Sequence, residues 1–347
     1  MLNLRRCYSY LDAYSARDVC VVKSVTVSII VRALNEEQWL DGALDSCRRQ
    51  ILDSEIDLEL VLVDSGSTDR TLDIAKKHAC QIFHIKKSEF TFGRSLNIGC
   101  DGSTGDILVF ISAHCIPDNN HWLQNLITPL QTGVCDYVYG RQIGHKTVTR
   151  FSENEVFAHY FGEESELKQD GFFCNNANSA ITRAVWEKHR FDEAVTGLED
   201  MVLAKAIVND GGQIGYVADA TVVHIHEESL QQVRRRYYRE ALTVRDIMPE
   251  VHFNVFDLIR CYLAGVFHDL DQARRSKVFF KEVKGILGFR FMQFWGTYRG
   301  HNEHRTLSRV QKEGYYYPKP QRGRTPPQPT PQIGQQRPAR QEADISR

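Results

Sequence analysis

Val61-Leu-Val-Asp-Ser-Gly-Ser-Thr-Asp69 decides the fold. An apolar run ends in a carboxylate, Asp64. A small, flexible turn follows, and then a second carboxylate, Asp69. Parallel sheets place ligands at the carboxyl ends of their strands, so Asp64 arrives where a ligand would sit. Gly66 permits a tight turn, and Ser67, Thr68 and Asp69 suit the cap of a helix opening at Thr71. No GxGxxG or P-loop stands nearby. Two acids at a strand end suit hydroxyl and amide donors, such as a ribose or a base edge, better than bare phosphate.

Outward from this stretch, residues 25–31 form a continuous β-branched run that reads as a buried parallel strand. Asn35-Glu-Glu reads as a helix start, with a cap residue and first-turn acids. Trp39, Leu40, Ala43, Leu44 and Cys47 follow at helical spacing. Residues 58–63, 81–85 and 106–111 read as further strands, with helices at 69–78, 94–100 and 122–130. This alternation predicts an α/β fold: a single Rossmann-like, mostly parallel sheet flanked by helices. The second half is less regular. It predicts a strand at 178–182, a helix at 199–208 stopped by Gly211-Gly212, short strands at 214–217 and 221–224, and a long helix at 230–247. Residues 255–295 read as helical. The expected layout is a leader at 1–24, one α/β domain at 25–250, a helical C-terminal extension at 251–317 and a tail at 318–347. The tail is rich in Pro, Gln and Arg and too poor in apolar residues to order.

The 347 residues carry 42% apolar and 25% charged side chains and a net charge of -1. That near-neutral field, with no recognisable module, argues against a nucleic-acid partner. Nine cysteines without a CxxC imply buried thiols in a reducing, cytoplasmic compartment. No apolar stretch reaches the ~18 residues of a membrane span. The segment Lys277 to Trp295 mixes Lys and Arg with Phe and Trp. Such a helix fits two settings: peripheral contact with a membrane interface, or packing on the catalytic domain.

Five segments stand in a telling order: Ser28-Ile-Ile-Val-Arg-Ala-Leu-Asn-Glu-Glu37, Val63-Asp-Ser-Gly-Ser-Thr-Asp-Arg-Thr71, Glu89-Phe-Thr-Phe-Gly-Arg-Ser-Leu-Asn-Ile-Gly99, Val109-Phe-Ile-Ser-Ala-His-Cys-Ile-Pro117 and Gly197-Leu-Glu-Asp200. Their order and spacing resemble the family-two inverting glycosyltransferases of GT-A fold, and the third segment resembles the bacterial rhamnosyltransferase-like subgroup. The likeness runs from about residue 25 to about residue 245.

The resemblance implies a sugar moved from a UDP- or dTDP-sugar donor to a hydroxyl of a glycan or lipid-linked acceptor, in polysaccharide biosynthesis. It implies that Ala33, Asn35, Glu36, Asp64, Ser65, Asp69, Arg94 and Asn97 serve the donor nucleotide. It makes Asp200, beside Glu199, the catalytic base, and puts Gln232, Arg235 and Arg236 near the diphosphate. The family's Asp-x-Asp metal motif is replaced by Ser112-Ala113-His114. Magnesium prefers carboxylate oxygens, whereas His can ligate manganese. His114, with His226 as a second imidazole, would hold a Mn or Mg ion, or arginines would replace its charge. The missing Asp-x-Asp keeps open a non-catalytic relative that binds a nucleotide sugar or glycan. A sugar-nucleotide pyrophosphorylase would share the architecture, but its Gly-rich triphosphate loop is not found here.

Overall fold

The β-branched run at the start of the sheet is buried because strands flank it on both sides and an apolar cluster covers each face. In the computed structural model, which describes residues 25–52 and 56–303, β1 (Val25–Ala33) leads through α1 (Leu40–Arg48) to β2 (Ile56–Asp64). The chain continues through α2 (Thr71–Lys77), β3 (Gln81–His84), α3 (Phe92–Asp101) and β4 (Ile107–Ser112). These four strands are parallel, ordered β3-β2-β1-β4. Val27, Ile29 and Ile30 of β1 are fully buried. The helical spacing read at 40–47 holds: Leu40, Ala43, Leu44 and Cys47 are the buried face of α1. The expected leader and tail lie outside the described residues.

The second half completes an eight-stranded sheet with β5 (Cys115–Pro117), β6 (Tyr137–Gly144), β7 (Asn178–Thr182) and β8 (Ile214–His224). β7 runs antiparallel to β4 and β6, while β8 is parallel to β6. Helices α4 (Trp122–Gln131), α5 (Phe151–Tyr160), α6 (Arg183–His189) and α7 (Glu199–Asn209) lie between them. The sheet is therefore an α/β sheet of mixed but mostly parallel pairing.

Two expectations need correction, and two elements had none. Asn35 does not cap a helix: its φ of 57° puts it in a left-handed turn, and α1 begins only at Leu40. The two short strands at 214–217 and 221–224 are one strand, β8, whose exposed Asp219 interrupts the apolar pattern without breaking the strand. Strand β6 and helix α5 were not legible. β6 carries a register shift between Gly140 and Gln142, which disrupts the alternation that marks a strand.

The C-terminal helices α8 (Leu230–Ile247), α9 (Val255–Arg275) and α10 (Phe279–His301) pack on one another, with α9 and α10 also against α5. α10 crosses α8 closely. A Cβ on Gly296 or Gly300 would fall against the carbonyl oxygens of Arg234 and Tyr238, so glycine alone fits there. Ile286, Phe289 and Gln293 of α10 are buried. The segment flagged for its basic and aromatic character thus turns one face inward. Arg290 of α10 makes two charge-assisted bonds to Asp269 of α9, at 2.7 and 2.6 Å, and Asp269 is fully buried. No helix among the described residues is long and apolar enough to cross a membrane.

A buried pair with one partner removed leaves an uncompensated charge. Asp269→Ala should therefore destabilise the chain by about 3–5 kcal/mol, whereas the double variant Asp269→Leu with Arg290→Met should recover most of that loss. Thermal melts of the three proteins check it; equal melting temperatures for wild type and Asp269→Ala would remove this pair as the clamp between α9 and α10.

Candidate active site

The parallel register sets one edge of the site. Ala33 pairs with Asp64 across β1 and β2, and Arg32 pairs with Ser112 across β1 and β4. Three strands thus end level, and the chain leaves the sheet at one rim. Two loops there are laced together. Asn35 donates its N–H to Ser67 Oγ and accepts from Thr68 N–H at 2.8 Å. Glu36 N–H donates to Thr71 Oγ1, and Glu37 N–H to Asp69 Oδ2. Asp64 is 2% exposed, and its oxygens accept from Gly66 and Ser67 N–H, both at 3.0 Å. Gly66, at φ 98°, makes that turn possible.

A cavity of about 1060 Å³ opens from this rim. Its near wall is Ala33, Asn35, Glu36, Ser65, Ser112 and His114; its far wall includes Asn175, Asn176, Glu199 and Asp200; α8 and α10 cover it with Gln232, Arg236, Arg239 and Gln293. Glu199 and Asp200 form the first turn of α7, entered through Leu198 in a left-handed conformation at φ 54°. A non-glycine residue held there is strained.

Asp200 is 6% exposed. It accepts from the backbone N–H of Asn176 and of Met201, both at 2.8 Å. Burial, and then the neighbouring charge of Glu199, push its pKa up to about 7. Glu199 in turn pairs with Arg32 at 3.0 Å. The guanidiniums of Arg32 and Arg239 lie 4.9 and 4.7 Å from the Phe92 ring centroid. Arg239 Nε is buried without a hydrogen-bond partner among the described residues.

A histidine cluster lies beside the rim. His224 Nε2 and His226 Nε2 are 2.9 Å apart, and the His114 ring stacks on His224 at 5.2 Å. The three rings offer nitrogens within 4.8 Å of one another. Glu36 holds His114 Nδ1 at 3.2 Å, Gln142 holds His224 Nδ1 at 2.7 Å and Glu153 holds His226 Nδ1 at 2.8 Å. Arg236 donates to Glu153 at 2.9 and 2.8 Å and to Glu228 at 3.0 Å.

The structure brings Ala33, Asn35, Glu36, Ser65, Ser112, His114, Glu199, Asp200, His226 and Arg236 to one cavity. It does not bring Asp64, Asp69, Arg94, Asn97 or Arg235 to its lining. Asp64 and Asp69 are spent on the loop backbone. Asn97 is buried and bridges Trp186, Phe191 and Glu193. Arg94 faces Glu89, 3.9 Å away. The third signature segment thus reaches the cavity through Phe90 and Phe92, while its Asn97 packs α3 against the segment after α6. Sequence reasoning missed Arg32, Arg239, Glu153 and Glu228 as site residues. Arg32 carried a signal, a charge at the end of an apolar strand. Glu153 carried none, since its partners lie 73 and 83 residues away.

Residues 28–190 match the family described as glycosyl transferase family 2. The chain is 25% identical to the O-antigen chain rhamnosyltransferase RfbN of Salmonella typhimurium over 61% of its own length and 70% of that protein. It is 28% identical to the O-antigen chain rhamnosyltransferase WbaN of Salmonella anatum over 52% of its length and 60% of that protein. Its fold superposes on the mannosyltransferase PcManGT of Pyrobaculum calidifontis with a TM-score of 0.54 at 16% identity, covering 79% of this chain and 86% of that one. That likeness shows the GT-A fold alone. With the motif order and the sheet described above, these matches support a sugar-transferring enzyme of the glycosyl transferase family 2 type, similar to the rhamnosyltransferases.

Proposed function

We propose that this cleft performs inverting transfer of a sugar from a UDP- or dTDP-sugar to a hydroxyl of a growing, O-antigen-like glycan. The observation that carries the reading is Asp200: a buried carboxylate with its pKa raised to about 7, lining the cavity into which β1, β2 and β4 open. A base works best with a pKa near the working pH. Asp200 takes the proton from the acceptor hydroxyl as that oxygen bonds to the anomeric carbon from the opposite face. The bond from that carbon to the diphosphate oxygen breaks, and the diphosphate leaves with the electron pair.

The laced loops at residues 35–37 and 64–71 shape the nucleotide end, with Ser65, Asn35 and Glu36 facing the ligand. Asp64 and Asp69 act by holding those loops in place. Charge builds on the leaving diphosphate, and cations already placed there act without reorganisation. Arg239, whose Nε has no hydrogen-bond partner among the described residues, suits that role better than Arg32, which is paired with Glu199, Arg235, which lies outside the cavity lining, or Arg236, whose charge is spent on Glu153 and Glu228. A divalent ion held by His114 and His226 would add positive charge at the diphosphate.

The acceptor end favours a lipid-linked glycan, met at the cytoplasmic face of a membrane. The described cysteines are free thiols, in keeping with a reducing compartment. The outer face of α9 exposes Phe256, Ile259, Leu263 and Phe267 at 78, 49, 45 and 67%, and Phe280 of α10 is 93% exposed. Arg274, Arg275, Lys277, Lys281 and Lys284 are exposed around the α9–α10 turn. Apolar side chains ringed by cations suit an anionic lipid surface.

Asp200→Asn should lower kcat by about 10²–10⁴-fold while donor binding, read by thermal shift, survives. The wild-type rate should fall as pH drops through about 7, because the base is then protonated. Glu199→Gln removes the like charge, lowers the Asp200 pKa and moves that acid limb to lower pH. An unchanged rate in Asp200→Asn would end the assignment. In the thermal-shift screen, UDP- or dTDP-sugars should raise the melting temperature by mass action and GDP- or ADP-sugars should not; the reverse ranking would overturn the pyrimidine donor. Flotation with phosphatidylglycerol vesicles should carry the wild type and leave Phe256→Asp/Phe267→Asp behind. Failure of the wild type to float would remove the membrane contact.

A further inference from the structure

The histidine cluster is built as a metal site of a different chemical character from a pair of carboxylates. We infer that His114, His224 and His226 form a three-imidazole site that selects a borderline transition ion such as Zn²⁺, Co²⁺ or Ni²⁺ over Mg²⁺. The inference rests on reading the cavity as the donor site, and it adds His224 as a ligand.

Orientation is the first support. In each ring Nδ1 is held by an acceptor: Glu36 for His114, Gln142 for His224 and Glu153 for His226. A carboxylate oxygen accepts, so Glu36 and Glu153 engage Nδ1 of His114 and His226 and leave Nε2 as the atom that can meet an ion. Metal-binding histidines are ordinarily oriented by such partners, which also raise their basicity. Gln142 is itself fixed, since its amide nitrogen donates to Asn175 Oδ1 at 3.0 Å.

Spacing is the second support. Two imidazole nitrogens bound to one Zn²⁺ at about 2.0–2.1 Å lie about 2.9 Å apart at a right angle and about 3.3 Å apart at the tetrahedral angle. His224 Nε2 and His226 Nε2 are 2.9 Å apart. His224 is 6% exposed.

The donor set then decides the ion. Glu153 and Glu228 lie close enough to join the group, but Arg236 already occupies their oxygens. The inner donors that remain are neutral nitrogens. Magnesium demands oxygen ligands and keeps its waters, whereas imidazole suits the later first-row ions, whose affinity rises from Mn²⁺ toward Cu²⁺.

The rival for the 2.9 Å contact is a plain N–H···N hydrogen bond between His226 and His224, and ion binding separates the two. The full chain, stripped of metal and free of nucleotide, is dialysed against Co²⁺, Zn²⁺, Mn²⁺ and Mg²⁺, and bound metal is measured by mass spectrometry. One Co²⁺ or Zn²⁺ per chain is expected, unchallenged by equimolar Mg²⁺, with a visible Co²⁺ absorption band. His224→Gln should abolish that band, and Glu36→Gln should weaken binding about 10–100-fold. Asp200→Asn should leave binding intact. No stoichiometric ion on the wild type, or Mg²⁺ displacing Co²⁺ at equal concentration, overturns the inference. So does unchanged Co²⁺ binding in His224→Gln. Because no donor is present, these readouts stand apart from the nucleotide screen: a chain that binds Co²⁺ but no sugar nucleotide would sink the proposed reaction and keep the site.

Discussion

Glu153 is the constraint on which the cleft depends. It is 2% exposed, and a bare carboxylate that deep would be costly. It is kept ionised by Arg236, which meets both its oxygens, and by His226. Burial alone would raise its pKa, but those charges and bonds win and hold it down at about 2. One side chain on α5 thereby ties α8 to the segment that follows β8. α8 is the helix that covers the cavity, and α10 lies across it at Gly296 and Gly300. The cover over the active site is an electrostatic attachment reinforced by a close helix crossing.

The same economy of charge runs through the cleft. Glu199 and Asp200 sit side by side in a buried helix turn, where two negative charges repel. Arg32 pairs with Glu199, leaving Asp200 as the member whose ionisation is disfavoured. A carboxylate with its pKa near 7 follows from that asymmetry, since burial and a like charge both act on Asp200 while a cation neutralises its neighbour. Arg32 stands at the end of β1 and beside Ser112 of β4. The parallel strands that open the cavity therefore also tune the acid on its far wall.

The sheet was legible where burial on both faces left long apolar runs, as at residues 25–31 and 58–63. The face of α1 was legible from its spacing. β6 was not, since its bulge breaks the alternation, and β8 was split in two by one exposed aspartate. The site was legible in part for a different reason. Asp64 and Asp69 stood out as polar residues in a patterned context and Asn97 through the family resemblance, and the structure pairs all three with backbone and neighbouring side chains. An acceptor that holds a loop and one that holds a ligand look the same in sequence, because both need a short polar side chain at a turn. Asp200 sat in a short acidic motif and could be found. Glu153 and Glu228 sit in no motif, since what matters about them is a partner far along the chain.

The exchange of Asp-x-Asp for Ser112-Ala113-His114 reads in isolation as a loss of charge. Seen with its surroundings, it is a relocation. Two inner carboxylates would place negative charge directly on a cation. Here neutral imidazoles stand inside, and the carboxylates Glu36 and Glu153 stand one layer out, on the far nitrogens of the same rings. Arg236 then cancels part of the outer charge. A cation so held keeps more of its own charge, because neutral ligands compensate it less than carboxylates would. In the transfer proposed above, where a diphosphate gains negative charge as it leaves, that difference would favour the departing group.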